Sequence, residues 1–130
     1  MENRINTAEY IGKYKELYKK LAPVFSPAIG QKVYFNSSGF RHLIYKRGHR
    51  RSLKEMKNRL NLVPLIIPAI KNCDEEVEIR IRREIINGCR VRVTYYALES
   101  CVGKSSARVR VVTRKVGEVG RHYFQSIMKY

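Results

Sequence analysis

The hydrophobic period of the chain changes once, and this change constrains the fold more than any other feature. Before Glu76 apolar residues recur every three or four positions, whereas after it they alternate with arginines. The first spacing predicts amphipathic helices and the second predicts half-buried strands. Helices followed by strands are typical of an α+β fold, in which the helices cover the apolar face of an antiparallel sheet. A length of 130 residues predicts one domain, with an N-terminal helix and connector at 1–31 and the core at 32–130.

Two capping-box patterns mark predicted helix starts. Asn6 is followed three residues later by Glu9, and Ser52 is followed three residues later by Glu55. Proline restricts the apolar segment that comes next, because its ring suits a helix start or a kink better than a central strand. The elements predicted before the sheet are a helix from Asn6 to Pro23, a short strand at 32–36, a helix that starts from the break at 37–39 and ends at Gly48, a helix from Ser52, and a short buried helix at 62–70.

Four strands are predicted in the second half, and together they form an antiparallel meander of four strands. The alternating sets are Val77, Ile79 and Ile81 with Arg80 and Arg82, then Val91 and Val93 with Arg90 and Arg92, then Val109 and Val111 with Arg108 and Arg110. The turn signal at 117–120 leads into the fourth strand at 121–128.

The turn between the first two of these strands decides which arginines share a face. Asn87-Gly88 is typical of a two-residue hairpin loop, but that register places Arg80 and Arg82 on the opposite face from Arg90 and Arg92. Burying either pair without partners would be costly. We therefore predict a three-residue loop or a bulge, with six arginines on one solvent face: Arg80, Arg82, Arg90, Arg92, Arg108 and Arg110.

The charge of the chain predicts a polyanionic partner. There are 27 Lys and Arg residues against 11 Asp and Glu, a net charge of +16, and such proteins bind phosphates with release of counterions. An anionic membrane surface is the competing partner, but it is usually bound through one amphipathic helix or a polybasic tail. Here the basic residues are spread over helices and strands, which favours nucleic acid. The start of the chain does not resemble a signal peptide, so we expect a cytoplasmic protein without a membrane partner.

The densest charge lies at 41–59 and predicts a wall that binds phosphates. The alternative is a solvated helical surface, which is the usual role of a run of charges. His49 beside Gly48 is predicted to contact phosphate in this wall. A DNA-binding helix in this segment is a weaker alternative, because no turn-helix spacing is visible. The basic residues of the segment are Arg41, Lys46, Arg47, Arg50, Arg51, Lys54, Lys57 and Arg59, against the single acidic residue Glu55.

Several classes of site are disfavoured by the residues present. Cys73, Cys89 and Cys101 form no C-x-x-C pair, so we expect reduced thiols rather than disulfides or a zinc site. The only aspartate is Asp74 and no D-x-D pattern occurs, which disfavours two-metal hydrolysis, so neither metal nor cofactor is predicted. The sequence Gly103-Lys104-Ser105 lacks the upstream glycine of a phosphate loop. Metal-independent cleavage of RNA remains, and it needs the 2′-hydroxyl that DNA does not have.

The three histidines are the candidate acids and bases. His42 and Lys46 are four residues apart, so a helix would place a proton-transfer group and a cation on one face. His122 and Ser126 share one face of the last predicted strand. His42 and His122 could equally be structural residues. Tyrosines near the basic segments are predicted either to stack on unpaired bases or to lie in the core: Tyr45, Tyr95, Tyr96 and Tyr123.

Three segments resemble the phage-type barnase/EndoU/colicin/RelE-like (BECR) nucleases, over roughly residues 33–129. They read FNSSGFRHLIYK, RRSLKEMKNRLNLVPLIIPAIK and RVRVVTRKVGEVGRHYFQSIMK. The resemblance implies helices packed on a four-stranded antiparallel sheet, and a metal-independent endoribonuclease or toxin that acts on tRNA or mRNA. It also implies an acidic antitoxin or immunity protein as a partner.

On the BECR pattern His42 and Lys46 are the helical pair of the active site, and Arg114 and Ser126 are their phosphate-facing partners. The resemblance leaves the second acid or base open between His122 and Tyr95. The rival hypothesis is a non-catalytic RNA-binding module, in which the same arginines only hold phosphates.

Overall fold

The computed structural model describes residues 6–73, 78–103 and 106–130 and shows a mixed α+β fold. The helical elements are α1 (Thr7–Lys19), α2 (Ser37–Ile44), α3 (Leu53–Leu60), a 3₁₀ turn (Val63–Leu65) and α4 (Ile66–Asn72). The strands are β1 (Val24–Ser26), β2 (Gln31–Tyr34), β3 (Tyr45–Lys46), β4 (His49–Arg50), β5 (Glu78–Ile86), β6 (Cys89–Val102), β7 (Ala107–Val116) and β8 (His122–Lys129). Among the described residues no helix is both long and apolar enough to cross a membrane.

The two predicted helix starts are confirmed. The Asn6 side chain accepts a hydrogen bond from the Ala8 N–H at 2.8 Å, and the Ser52 hydroxyl accepts one from the Glu55 N–H at 3.2 Å. Each bond satisfies a backbone donor that has no partner inside the helix. The structure adds a third cap, since the Asn36 side chain accepts from the Gly39 N–H and begins α2.

The predicted four-stranded sheet is wrong in its strand number, because the main sheet has six strands in the order β1-β2-β8-β7-β6-β5. The antiparallel meander β5 to β8 is present as expected. The hairpin of β1 and β2 joins it through a parallel pairing of β2 with β8. This pairing uses only His122 and Tyr123 at the start of β8. α2 also packs against β8.

The second predicted helix is too long. α2 ends at Ile44, because Tyr45 has an extended backbone with φ −117° and ψ 147°. The chain then forms a small hairpin of β3 and β4, which turns through Arg47 and Gly48 at φ 52° and 78°. Lys46 therefore lies on this hairpin and not on the helix of His42, which corrects their predicted position on one helical face.

The three-residue loop between β5 and β6 is also wrong. Ile86 pairs with Cys89, so the turn has two residues, and Asn87 and Gly88 have φ of 51° and 79° as a type I′ hairpin requires. Arg80 and Arg82 consequently lie on the opposite face from Arg90 and Arg92. All four arginines are exposed, because this end of the sheet extends beyond the helices and both of its faces reach solvent. The burial cost that argued against this register does not arise.

The helices cover one face of the sheet, here called the helix face. Its fully buried side chains include Leu98, Val111, Phe124 and Ile127, which pack with residues of α2, α3 and α4. Two isoleucines predicted to be half-buried, Ile79 and Ile81, lie on the same side beyond the helices and are 49% and 55% exposed. Val77, predicted with them, lies outside the described residues. The opposite side, which α4 does not cover, is called the open face.

Candidate nucleic-acid interface

A groove of about 370 Å³ lies on the open face of the sheet. Arg80 and Arg82 come from β5 and Arg110 comes from β7, so arginines stand on both sides of β6. The groove is lined by Arg80, Arg82, Tyr95, Tyr96, Ala97, Arg110, Val112, Gln125 and Met128. A groove with cations on both walls suits an elongated anion.

One row of paired residues on the open face carries a hydrogen-bonded network. Arg80, Tyr95 and Arg114 are consecutive cross-strand partners. The Arg114 Nε donates to the Tyr95 hydroxyl at 3.3 Å, and its Nη2 donates to the Glu84 carboxylate at 3.3 Å. The Tyr95 hydroxyl itself donates to Glu84 at 2.5 Å. Arg114 is thereby held in a fixed position beside the groove.

The acid and base properties of this network follow from its contacts. The hydrogen bond from Tyr95, with a further contribution from Arg114, holds the pKa of Glu84 below its ordinary value. Burial and the hydrogen bond to Glu84 raise the pKa of Tyr95. At neutral pH the network therefore contains an ionised carboxylate, a protonated phenol and a guanidinium.

His42 reaches this region from α2. The Gln125 side-chain amide lies 3.0 Å from the His42 Nε2 and can donate to it, which places the ring proton on Nδ1. Gln125 stands in β8 where the register with β7 shifts between Val112 and Thr113, a β-bulge that redirects a side chain. Burial, then the positive charges of Arg51 and Arg114, lower the pKa of His42. The imidazole is consequently neutral at neutral pH.

A glycine allows α2 to approach β8 closely enough for this contact. A Cβ at Gly39 would lie 2.5 Å from the Tyr18 hydroxyl and 2.6 Å from the Phe124 carbonyl oxygen. The Tyr18 hydroxyl in turn donates to the Asn36 carbonyl at 2.6 Å and so fixes the start of α2. Any larger residue at position 39 would displace the helix that carries His42.

Arg51 supports the other end of α2. Its Nε donates to the His42 carbonyl at 3.1 Å and its guanidinium forms an ion pair with Glu55. The Arg51 side chain is only 7% exposed. Its charge therefore acts inside the protein, on His42 and Glu55, and is not displayed to solvent with the other basic residues at 41–59.

The other predicted residues of the basic segment lie away from the groove. Arg41 is exposed and its guanidinium stacks 4.7 Å from the centre of the Tyr45 ring. The remaining predicted contacts are on the exposed β3–β4 hairpin and do not line the groove: Lys46, Arg47, His49 and Arg50. This hairpin is a second basic surface, separate from the open face.

His122 and Ser126 do not share a face. Ser126 pairs with Val112, which lines the groove, so Ser126 belongs to the open face. His122 is 1% exposed, its ring lies 5.1 Å from the Tyr96 ring, and its Nδ1 makes no hydrogen bond to any described residue. Burial and the charge of Lys115 lower the pKa of His122. The two-residue periodicity between them is broken by the bulge at Gln125.

The six strand arginines are divided between the two faces. Arg108 and Arg110 share the open face with Arg80 and Arg82, and Arg110 forms an ion pair with Glu99 at 2.6 Å. The guanidinium groups of Arg108 and Arg110 lie 4.8 Å and 5.3 Å from the centre of the Tyr130 ring. Arg90 and Arg92 occupy the opposite side, so the predicted single face of six arginines is incorrect.

Two residues of the site were not identified from the sequence. Glu84 lies two residues after Arg82, so it points to the same face of β5 as Arg80 and Arg82. A two-residue turn at Asn87-Gly88, which the sequence indicates locally, places that face on the same side of the sheet as Tyr95. Gln125 carries no comparable signal, because its direction depends on a bulge that forms only when β7 and β8 pair.

Within residues 6–73, 78–103 and 106–130, no group of three or more His, Cys, Asp or Glu side chains could hold a metal ion. Asp74, Lys104 and Ser105, for which the sequence predicted neither a metal site nor a phosphate loop, lie outside the described residues. No family model, curated protein or solved structure matches the chain.

Proposed function

We propose that the open-face groove binds RNA and that His42 promotes metal-independent cleavage of the bound chain. One observation carries the proposal: a half-buried, neutral histidine is fixed by Gln125 beside Arg114, at the side of a groove lined with arginines. Attack by a 2′-hydroxyl on the phosphorus requires two groups: a base with a lowered pKa, and an adjacent cation that binds the phosphate.

In the proposed reaction the protein takes one proton from the RNA and returns one proton to it. The His42 Nε2 takes the proton of the 2′-hydroxyl, the O2′–P bond forms, and the P–O5′ bond breaks. The Tyr95 hydroxyl, which donates to Glu84 in the free protein, must leave that carboxylate and give its proton to the leaving 5′-oxygen. Its raised pKa keeps it protonated until then. Arg114, 3.3 Å from the phenolic oxygen, stabilises the phenolate that results. The products are a 2′,3′-cyclic phosphate and a 5′-hydroxyl.

Arg114 supplies the cation for the reacting phosphate. Its Nε and Nη2 are engaged with Tyr95 and Glu84, while its Nη1 donates to no described residue. Guanidinium groups have five N–H donors, so donors remain for a phosphate oxygen. Arg80, Arg82 and Arg110 on the walls of the groove extend the positive surface to neighbouring phosphates.

Two predicted catalytic residues are left out of this mechanism. Lys46 is outside it because α2 ends before the residue is reached. His122 is outside it because the ring is buried at the helix side of the sheet. Ser126 is on the correct face, and we assign it to binding beside the groove.

Membership of the BECR nucleases stays a prediction, as do the tRNA or mRNA target, the toxin role, the cytoplasmic location and an acidic antitoxin. The mechanism proposed from His42, Tyr95 and Arg114 agrees with the activity that this resemblance implies. The exposed basic hairpin of β3 and β4 lies apart from the groove and has no part in the proposed reaction.

A non-catalytic RNA-binding module is the second candidate. The observation in its favour is that the His42 Nε2 is already bonded to Gln125, and that Arg110 and Arg114 are already paired with Glu99 and Glu84. A 2′-hydroxyl must displace the amide of Gln125 before His42 can act as a base. In a binding module this displacement never occurs.

The deciding experiment is incubation of the purified protein with total RNA in EDTA, followed by analysis of fragment ends. Cleavage should produce 2′,3′-cyclic phosphates, and His42→Ala should abolish it while RNA binding persists. His49→Ala is the matched control, because this histidine is exposed on the β3–β4 hairpin and should leave cleavage unchanged. Binding without cleavage by the wild-type protein would reject the nuclease and support the binding module.

A further inference from the structure

A pair of tyrosines continues the open face beyond Arg114. Tyr34 and Tyr123 are cross-strand partners in the parallel pairing of β2 with β8, and their ring centres are 6.1 Å apart at 49°. The Arg121 guanidinium lies 4.5 Å from the centre of the Tyr34 ring. We call Tyr34, Tyr123 and Arg121 the tyrosine platform.

The direction of the platform follows from the register. Tyr123 pairs with Arg114, so both side chains are on the open face. The chain neighbours Val33 and His122 are 0% and 1% exposed on the helix face, and successive strand residues point to opposite sides. Tyr34 and Tyr123 therefore point away from the core, and both side chains are partly exposed.

The hydroxyl groups distinguish these tyrosines from structural ones. The hydroxyls of Tyr10, Tyr14 and Tyr18 each bond to another element and hold α1 in place. Neither Tyr34 nor Tyr123 makes a hydrogen bond through its hydroxyl to any residue in the described part of the chain. What they present is aromatic surface together with a cation.

The platform and the cations form one continuous row across the sheet. The row contains, from β5 to β2, Arg80, Tyr95, Arg114, Tyr123 and Tyr34. Adjacent strands are roughly 4.8 Å apart, so the Tyr34 backbone lies about 10 Å from that of Arg114. A nucleotide next to the one whose phosphate is held by Arg114 can therefore reach the platform.

We propose that the tyrosine platform binds unpaired bases that flank the phosphate at Arg114, which makes single-stranded or looped RNA the substrate class. Bases enclosed in a duplex have no free faces for stacking, whereas unpaired bases stack on tyrosine rings and on guanidinium planes. This inference rests on the proposed function, because it assumes that RNA lies in the groove.

The first test uses a fluorescent RNA strand of about 12 nucleotides. It carries 2′-O-methyl groups throughout, because such a strand has no free 2′-hydroxyl and cannot be cleaved by the proposed reaction. Wild-type protein should bind it about tenfold more tightly than an abasic strand of the same length and charge. It should also prefer the strand to its duplex. Equal binding of the normal and abasic strands would overturn the inference without any mutation.

The second test compares variants in the same assay. Tyr123→Leu and Arg121→Gln should reduce the preference for bases over the abasic strand, whereas Tyr123→Trp should keep it. Tyr10→Leu is the matched control, because Tyr10 also contacts a second tyrosine ring and a lysine but lies on α1. Thermal unfolding checks that each variant is folded, and Arg121→Gln alters only an exposed side chain.

The outcomes separate this inference from the proposed function. If unmodified RNA is cut while the variants keep the wild-type preference for bases, the platform is wrong and the nuclease stands. If bases are preferred through Tyr123 but no RNA is ever cut, the platform stands and the nuclease is wrong. If the wild-type protein binds neither strand, the platform is rejected, and the fragment analysis with total RNA still decides the nuclease.

Discussion

The Gln125 amide lies 3.0 Å from the His42 Nε2, and this contact joins the bulge of β8 to α2. Without the bulge, the alternation along β8 would continue unbroken past this point, and a different side chain would face the helix. The contact fixes the orientation of the imidazole and the nitrogen that accepts a proton. Gln125 is therefore the most informative single residue to change.

Gln125→Glu should raise the pKa of His42, because a carboxylate at this distance stabilises the charged imidazolium. The wild-type pKa is below the ordinary value, so the rate of cleavage should increase with pH through a midpoint below about 6.5. In the variant this midpoint should move to higher pH. NMR titration of the ring measures the pKa directly, and Gln125→Met is the uncharged control. An unchanged His42 pKa in Gln125→Glu would contradict the observed contact.

Arg114→Gln should weaken RNA binding more than Arg92→Gln does. Arg114 lies beside the groove on the open face, whereas Arg92 is exposed on the opposite face. Each phosphate contact that is lost should reduce the slope of log affinity against log salt by about 0.7 for single-stranded RNA. Affinities measured at several salt concentrations decide this, and equal slopes for the two variants would place the bound RNA elsewhere.

Gly39→Ala should destabilise the protein by about 1–3 kcal/mol, because the added methyl group overlaps the Tyr18 hydroxyl and the Phe124 carbonyl. Urea unfolding measures the change. Gly12→Ala in α1 is the matched control, since a Cβ there has no neighbour within 4 Å, and alanine should stabilise the helix by about 0.5–1 kcal/mol. A stable Gly39→Ala protein would mean that α2 is not held tightly against β8.

Stability should decrease as the pH falls from about 6.5 towards 5.5, because His122 and His42 have lowered pKa values in the folded state. The unfolded chain binds protons on both rings first, and this favours unfolding by at most about 1.4 kcal/mol per pH unit for each ring. His122→Gln should reduce this dependence. Urea midpoints at both pH values test the prediction, and the same dependence in His122→Gln would show that the buried ring is not its source.

The helix starts could be predicted from the sequence because the groups that form them are close along the chain. Asn6, Asn36 and Ser52 each bond to a backbone N–H two or three residues away. The alternation that predicted β6 and β7 is equally local. Such signals do not depend on which strand lies beside which, and this is why the α+β class and the meander were predicted correctly.

The errors concern relations between distant segments. The predicted face of six arginines required a longer loop at Asn87-Gly88 than the local turn signal indicates. The burial cost behind that prediction is absent, because arginines on both faces of the sheet are exposed there. The predicted pairing of His42 with Lys46 required a helix that continues through Lys46, whereas α2 ends at Ile44. The parallel pairing of β2 with β8, which brings Tyr34 next to Tyr123, has no local signature at all.

The sequence by itself determined the excess of positive charge, the helix starts and the change from helical to alternating periodicity, because each depends on residue type and near neighbours. Only the tertiary structure decided which cations face the same groove, that Gln125 meets His42, and that His122 is buried. These depend on strand register, a bulge and the close approach of α2 to β8, which are set by packing between segments far apart in the chain.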